Sequence, residues 1–327
     1  HYAIMKAVLF HEYGGPEVLK LEEIPDPTPG EGQLLVRIRA TGLNFIETYQ
    51  RSGAYKADLP RTLGTEGAGE VLELGPGVTG FAVGDRVAFN SASGTYAELT
   101  LAPVKAAVKL ADDVPFDRGV ALYLQGITAH ALCSTVYPIQ PGQWSLVHAA
   151  AGGVGLLLTQ MIKLRGGHVI GTVSTVEKAV LAREAGADEV ILYTQQDFVA
   201  EVTRIMGGEK KLPVVYDSVG KDTFEGSVKC LGSKGYMVLF GQSSGRVPPV
   251  DPQLLNSSGS LFLTRPTMQH YTETRAELES HTDEIYGWAD EGKLNVRIGL
   301  TLPLAQAADA HRALEGRKTT GKVVLIP

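Results

Sequence analysis

Apolar and polar positions divide the chain into two textures. As far as residue 127, the apolar positions fall in short runs broken by polar residues. The runs 6–10, 33–40, 69–74, 85–90 and 96–102 read as strands. Clusters of Gly, Pro and Asp, such as 25–30, punctuate them. Many short strands with few helices predict a twisted, partly closed antiparallel barrel. From Thr128 onward, strands at 144–148, 168–173, 189–192, 213–217, 236–240 and 260–264 alternate with helical stretches. That alternation predicts a doubly wound parallel α/β sheet of the Rossmann kind. After Arg265 the pattern gives a helix near 272–292, a strand near 295–300, a helix near 304–315 and a last strand at 322–326. This tail is expected to return to the first domain. The expected division is therefore 1–127 with 266–327, and 128–265.

The strongest local signal lies where the first parallel strand ends. Val147-His148-Ala149-Ala150-Ala151-Gly152-Gly153-Val154-Gly155 reads as a strand running through a glycine turn into a helix. A pyrophosphate needs backbone N–H groups at a helix N-terminus and a backbone free to come close. Gly152 and Gly153 suit that approach, and Gly155 suits tight packing of helix on strand. Ala150 replaces the first glycine of the general fingerprint, so the strand–turn–helix–strand context carries the reading. The following helix is apolar on nearly every side and should be buried.

The next strand ends at Gly171-Thr172-Val173-Ser174, with Lys178 four residues on. NAD sites place a carboxylate there to bind the ribose 2′-OH, and it would repel a 2′-phosphate. Hydroxyls and a cation suit that phosphate instead, which points to NADPH. Ser174 is also a candidate N-cap for a helix starting near Val176, with Glu177 as its capping-box partner.

Composition narrows the classes. The 327 residues are 44% hydrophobic, with a formal net charge of −6, and their mean hydropathy is +0.01. That is ordinary for a globular chain and leaves no basic stripe for nucleic acid. No apolar run reaches the ~18 residues of a membrane span. The four residues before Met5 read as an appended leader, with Met5 as a native start. Cys133 and Cys230 form neither a metal cluster nor a disulfide framework, and they suit a reducing cytoplasm.

Specific residues then carry a resemblance. Gly75-Pro76-Gly77-Val78-Thr79-Gly80-Phe81-Ala82-Val83-Gly84-Asp85-Arg86-Val87, preceded by Gly64-Thr65-Glu66-Gly67-Ala68-Gly69, resembles the hairpin signature of the medium-chain dehydrogenase/reductase superfamily. Its zinc enzymes carry a ligand His where Thr65 stands and a ligand Cys near Thr41. Their structural-zinc lobe needs four cysteines. The chain instead resembles the zinc-free quinone oxidoreductases, the zeta-crystallin-like branch, and most of all their bacterial NADPH-dependent members. The likeness runs through 10–19, 42–49, 148–155 and 215–220 and covers the chain from Met5 onward.

The resemblance implies a β-rich GroES-like barrel joined to the Rossmann domain, a homodimer paired through Rossmann edge strands, and a substrate cleft between domains. It implies that Asn44 and Tyr49 face the nicotinamide, that Tyr55 lies at the substrate mouth, and that Thr128 lies beside the nicotinamide. Gly152, Gly153, Val154 and Gly155 would hold the pyrophosphate, with Gly171 in the adjoining strand. Ser174, Lys178 and Tyr193 would hold the 2′-phosphate, with Arg317 as a further candidate. Ser218 and Phe240-Gly241-Gln242-Ser243 would line the nucleotide path. The implied reaction is zinc-independent quinone reduction, with one-electron transfer through a semiquinone also implied. Reduction of α,β-unsaturated carbonyls on the same scaffold is the alternative, with Tyr49 or Tyr55 as proton donor. A third reading, AU-rich RNA binding, is disfavoured by the charge. His148 on its apolar strand also reads as a satisfied core histidine, Glu66 as a buried structural carboxylate, and Asp217 as a loop-ordering residue.

Overall fold

The computed structural model describes residues 3–209 and 212–327, so His1 and Tyr2 of the expected leader lie outside the described residues. The chain forms two compact units. One takes the described residues up to Leu124, with Thr274–Asp283 and Val296–Pro327. The other takes Gln125–Glu273 and Glu284–Asn295. Residues 266–273 and Glu284–Asn295 thus depart from the 266–327 tail that was expected to return whole to the first unit.

In the first unit, Gln33–Gly42 is the organising strand. It pairs antiparallel with Glu66–Leu74, Leu99–Pro103 and Lys322–Ile326. The sheet continues through Arg86–Asn90 to Ala107–Lys109 on one side, and to Ile298–Pro303 on the other. Register shifts at Leu35/Val36 and Ile38/Ala40 bend the long strand, which lets one segment serve several partners. Its alternate residues Leu34, Val36 and Ile38 pack with Val71, Val87 and Phe89. A second sheet joins Lys20–Pro25, Ile4–Phe10 and Arg61–Thr62. The strands Lys20–Pro25, Arg61–Thr62 and Ala107–Lys109 and the helices Phe45–Ser52 and Phe116–Ala121 were not foreseen. All are short, and the helix Phe45–Ser52 is polar enough to read as a loop.

The second unit is a six-stranded parallel sheet. From edge to edge it runs Glu189–Leu192, His168–Val173, Trp144–Val147, Leu212–Asp217, Leu231–Leu239 and Phe262–Thr264. Parallel pairing sets all six carboxyl ends along one edge. The central strands are buried on both faces, as their unbroken apolar runs require. The helix Gly153–Leu164 buries Leu156, Leu157, Leu158, Met161 and Ile162. The edge strand, Phe262–Thr264, is shorter than the 260–264 expected. Asp251 caps a helix, Pro252–Ser257, and Gly259 and Ser260 take positive φ, so extended pairing resumes only at Phe262.

Buried polar groups fix the strand ends of this sheet. His148 is buried, with Nδ1 2.9 Å from Thr172 Oγ1 and Nε2 2.9 Å from Ser227 Oγ. Ser227 Oγ donates to Asp217 Oδ2 at 2.7 Å, and Asp217 Oδ1 accepts from the Val219 and Gly220 N–H groups. Burial holds the imidazole below its ordinary pKa, against the pull of the Asp217 charge. His148 is therefore a satisfied core histidine, and Asp217 orders the loop after its strand.

Candidate active site

The second unit gathers one group of the expected residues along the carboxyl edge of its sheet. Gly152 is the N-cap of Gly153–Leu164. A Cβ on Gly155 would collide with the Ala149 carbonyl oxygen, and one on Gly171 would lie 2.7 Å from the Ala150 Cβ. Only glycine lets helix and strand approach this closely. Val154 is half-buried in the first turn. Ser174 follows the strand His168–Val173, and Tyr193 follows Glu189–Leu192 and is 39% exposed. The N-cap of the next helix is Thr175, whose side chain accepts from the Lys178 N–H. This corrects the capping role considered for Ser174 and leaves the Ser174 hydroxyl outside the cap. Ser218 meets the 240–243 segment directly, since its carbonyl accepts from the Ser243 N–H at 3.2 Å. Phe240 N–H donates to the Asp217 carbonyl, and Gly241 packs its backbone on Ser218.

Gln125 was not foreseen. Its side chain covers Gly153, in the space a Cβ there would need, and its Oε1 is buried without a hydrogen-bond partner. A buried orphan beside the first N–H groups of a helix calls for a polar group that is added from outside. An amide turned end for end donates its NH2 from the same place. The glycine cradle and this amide fit the pyrophosphate of a dinucleotide.

The first unit gathers a second group around Asn44, the N-cap of Phe45–Ser52. Asn44 Nδ2 donates to Glu66 Oε1 at 2.9 Å, and Lys322 Nζ donates to Asn44 Oδ1 at 3.2 Å. Lys322 also pairs with Glu66 Oε1, both side chains being fully buried. Glu66 Oε2 accepts from the Leu124 N–H at 2.8 Å. Glu66 is thus a buried structural carboxylate, and both ends of the Asn44 amide have internal partners. Glu47 Oε1 accepts from the Asn44 N–H at 3.0 Å, and Glu47 Oε2 lies 3.0 Å from Thr65 Oγ1. Tyr96 Oη links Glu47 to His311, and His311 leads to Arg51 and Glu315. Tyr49 and Tyr55 sit edge to face with ring centroids 5.3 Å apart, one turn beyond Asn44. Thr128 lies half-buried in the helix Leu124–Ala131, within the second unit. Arg317, exposed with φ 57°, follows the helix Ala307–Glu315 in the first unit.

Sequence reasoning missed Glu47 and Lys322. Asn44-x-x-Glu47 carries a capping-box pattern that could have marked Glu47. Lys322, in the apolar run Lys322–Ile326, has no local signal at all. Among the described residues, no three His, Cys, Asp or Glu side chains converge so as to hold a metal ion.

Burial pushes the Glu47 carboxyl up to about 8, with the Lys322 charge and the Asn44 N–H opposing. Burial, with the Arg51 charge, pushes His311 down to about 3. The two act oppositely on stability. Folded Glu47 keeps a proton that the unfolded chain releases near 4.5, so its contribution is full below 4.5 and is lost as pH rises toward about 8. His311 contributes above 6.5 and loses that as pH falls toward about 3. Glu47→Gln, which mimics the neutral acid, should therefore flatten the fall in Tm between pH 4.5 and about 8. Parallel Tm curves for the two proteins would contradict the assignment.

Comparison with known proteins agrees with this architecture. Residues 30–112 match the alcohol dehydrogenase GroES-like domain, and residues 185–325 match the zinc-binding dehydrogenase family. The quinone oxidoreductase of Pseudomonas aeruginosa is 45% identical over 98% of this chain and 99% of that protein. A 2-haloacrylate reductase from a Burkholderia species is 39% identical over 99% of both. The crystal structure of Escherichia coli quinone oxidoreductase complexed with NADPH superposes with a TM-score of 0.96. Its identity is 43%, and the match covers 98% of this chain and 100% of that one. With a GroES-like unit, a six-stranded nucleotide-type sheet and this level of identity over nearly its full length, the chain belongs to the quinone oxidoreductases of the medium-chain dehydrogenase/reductase superfamily.

Proposed function

We propose that this protein is an NADPH:quinone oxidoreductase. The observation that supports this most is the carboxyl edge of the Rossmann sheet. A glycine cradle with an orphaned amide stands beside the strand His168–Val173, which is followed by Ser174 rather than a carboxylate. NADPH supplies the hydride when bound. Gly152, Gly153, Val154 and Gly155 hold the pyrophosphate at the helix N-terminus, while Ser174, Lys178 and Tyr193 take the 2′-phosphate, with Arg317 as a further contact. Ser218 and the 240–243 segment line the nucleotide, and Thr128 stands by the nicotinamide. Asn44 positions the reacting end, its amide held from behind by Glu66 and Lys322. Tyr49 and Tyr55 form an aromatic wall for a flat acceptor. A quinone is already electrophilic, so orientation and exclusion of water suffice. The protein acts in the cytoplasm, where the buried Cys133 and Cys230 would stay reduced.

The reductase of 2-haloacrylate among the relatives favours a second reading, reduction of an activated C=C bond. Purified protein with NADPH should turn over benzoquinone and naphthoquinone faster than an enone or 2-haloacrylate, read at the nicotinamide absorbance. Turnover of the unsaturated acids alone would favour the second reading.

A charge-assisted phosphate contact contributes roughly 1.5–3 kcal/mol. Lys178→Ala should therefore weaken NADPH binding about 10–100-fold and leave NADH binding nearly unchanged, as titration calorimetry would read. Equal loss for both cofactors would remove Lys178 from the 2′-phosphate site.

The protein is a homodimer joined along the edge strand Phe262–Thr264. Phe262 is 52% exposed and stacks on Tyr236 at 4.6 Å, which leaves apolar surface on an edge with one paired side. Light scattering should give twice the 34.9 kDa chain mass. Phe262→Asp should shift it toward the monomer, and a monomeric wild type would count against the dimer.

A further inference from the structure

Two carboxyl groups, Glu47 and Glu66, and two cations, Lys322 and Arg51, share the interior behind Asn44. Lys322 pairs with Glu66, and Arg51 pairs with the exposed Glu315. Glu47 is fully buried, and among the described residues its hydrogen-bond partners are the uncharged Asn44 N–H, Thr65 and Tyr96. A buried carboxyl without a paired charge holds its proton.

Hydrogen-bond polarity assigns that proton to one oxygen. Arg51 only donates, so His311 Nδ1 accepts from it at 2.8 Å. His311 Nε2 then carries hydrogen and donates to Tyr96 Oη at 3.0 Å. Tyr96 Oη in turn donates to Glu47 Oε1 at 3.2 Å, where the Asn44 N–H also donates. With two donors on Oε1, the proton of neutral Glu47 sits on Oε2, 3.0 Å from Thr65 Oγ1. Asn44 Nδ2 also approaches that hydroxyl oxygen, at 3.4 Å. Thr65 therefore accepts from Glu47 and has its own hydrogen to give. Glu47, Glu66, Tyr96 and Lys322 are sealed from solvent, whereas Thr65 is half-buried and keeps an open face.

We propose that Glu47 is the proton donor for reduction of the acceptor and acts through the Thr65 hydroxyl. This rests on the quinone-reductase reading. Reduction of a quinone to a hydroquinone consumes one hydride, which NADPH supplies, and one proton. The Glu47 Oε2–H bond breaks and its proton forms a new bond to Thr65 Oγ. The original Thr65 O–H bond breaks, and that hydrogen bonds to the acceptor oxygen that carries the negative charge. Glu47 is left as a carboxylate, stabilised by Tyr96 Oη–H, by the Asn44 N–H and by the charge of Lys322. After product leaves, water returns a proton through Thr65. Thr65 touches the acceptor and is the catalytic residue; Glu47 is the reservoir behind it. The charged and titratable groups facing Glu47 are Lys322, Glu66, Tyr96 and, through Tyr96, His311 with Arg51.

The test uses two readouts. Infrared spectra of the cofactor-free protein at neutral pH should show a protonated-carboxyl band that is missing in Glu47→Gln and fades as pH rises past about 8. In Thr65→Val the band should persist at higher frequency, because its hydrogen bond is gone. In turnover, Thr65→Val should lower kcat about 100-fold with NADPH affinity unchanged. Thr65→Ser, which keeps the hydroxyl, should restore most of the rate. Wild-type kcat in Thr65→Val, or an ionised Glu47 at neutral pH, would overturn the relay alone. A wild type that reduces neither quinones nor enones would overturn the functional reading and the relay with it.

Discussion

The buried ion pair of Lys322 and Glu66 is the constraint on which the first unit depends. Lys322 lies on the last strand, and Glu66 opens the strand Glu66–Leu74. Glu66 also reaches the Asn44 side chain and the Leu124 N–H. One carboxylate thus ties four segments far apart in sequence. Removing either partner would leave an uncompensated buried charge, at a cost of roughly 3–5 kcal/mol. An apolar pair of the same shape could pack as well. It could not hold the Asn44 amide from both ends, and that suggests why charge is kept in this interior.

The second unit solves a comparable problem with uncharged donors. Asp217 is buried, and it is surrounded by the Val219 and Gly220 N–H groups and the Thr223 and Ser227 hydroxyls. Its partner chain ends in a neutral His148. The result is a rigid turn after the strand Leu212–Asp217, next to the 240–243 segment that packs on Ser218. In each unit, then, a sealed polar network holds backbone beside that unit's own group of candidate residues.

The readable parts of the sequence were those with a local cause. The parallel strands were legible because burial on both faces forces unbroken apolar runs in the central ones; two of the six, 168–173 and 189–192, keep the bounds expected, as does 322–326 in the first unit. The glycine turn was legible because close approach leaves no alternative to glycine at Gly155. Short elements were not. The helix Phe45–Ser52 has mostly polar residues and buries Glu47, Thr48 and Arg51, which no periodicity of apolar positions would mark. The edge strand starts two residues later than expected, because Gly259 and Ser260 take positive φ after the capped helix Pro252–Ser257. The capping alternative weighed for Ser174 falls to Thr175 beside it, which is equally suitable in sequence. Gln125 and Lys322 were invisible for another reason: each acts only on partners brought in from elsewhere in the chain, Gly153 for one and Glu66 with Asn44 for the other.

Thr41 and Thr65 show how the same framework has been turned to different chemistry. Their hydroxyls bind within the protein, Thr41 to the Glu66 carbonyl and Thr95, and Thr65 to Glu47. Neutral hydroxyls beside a compensated ion pair and a protonated carboxyl make a site that can hold or pass a proton. They do not make one that withdraws electrons from an alcohol. An acceptor that is already electron-poor is what such a site can reduce, and the need for a proton rather than a Lewis acid follows from the residues that the chain itself supplies.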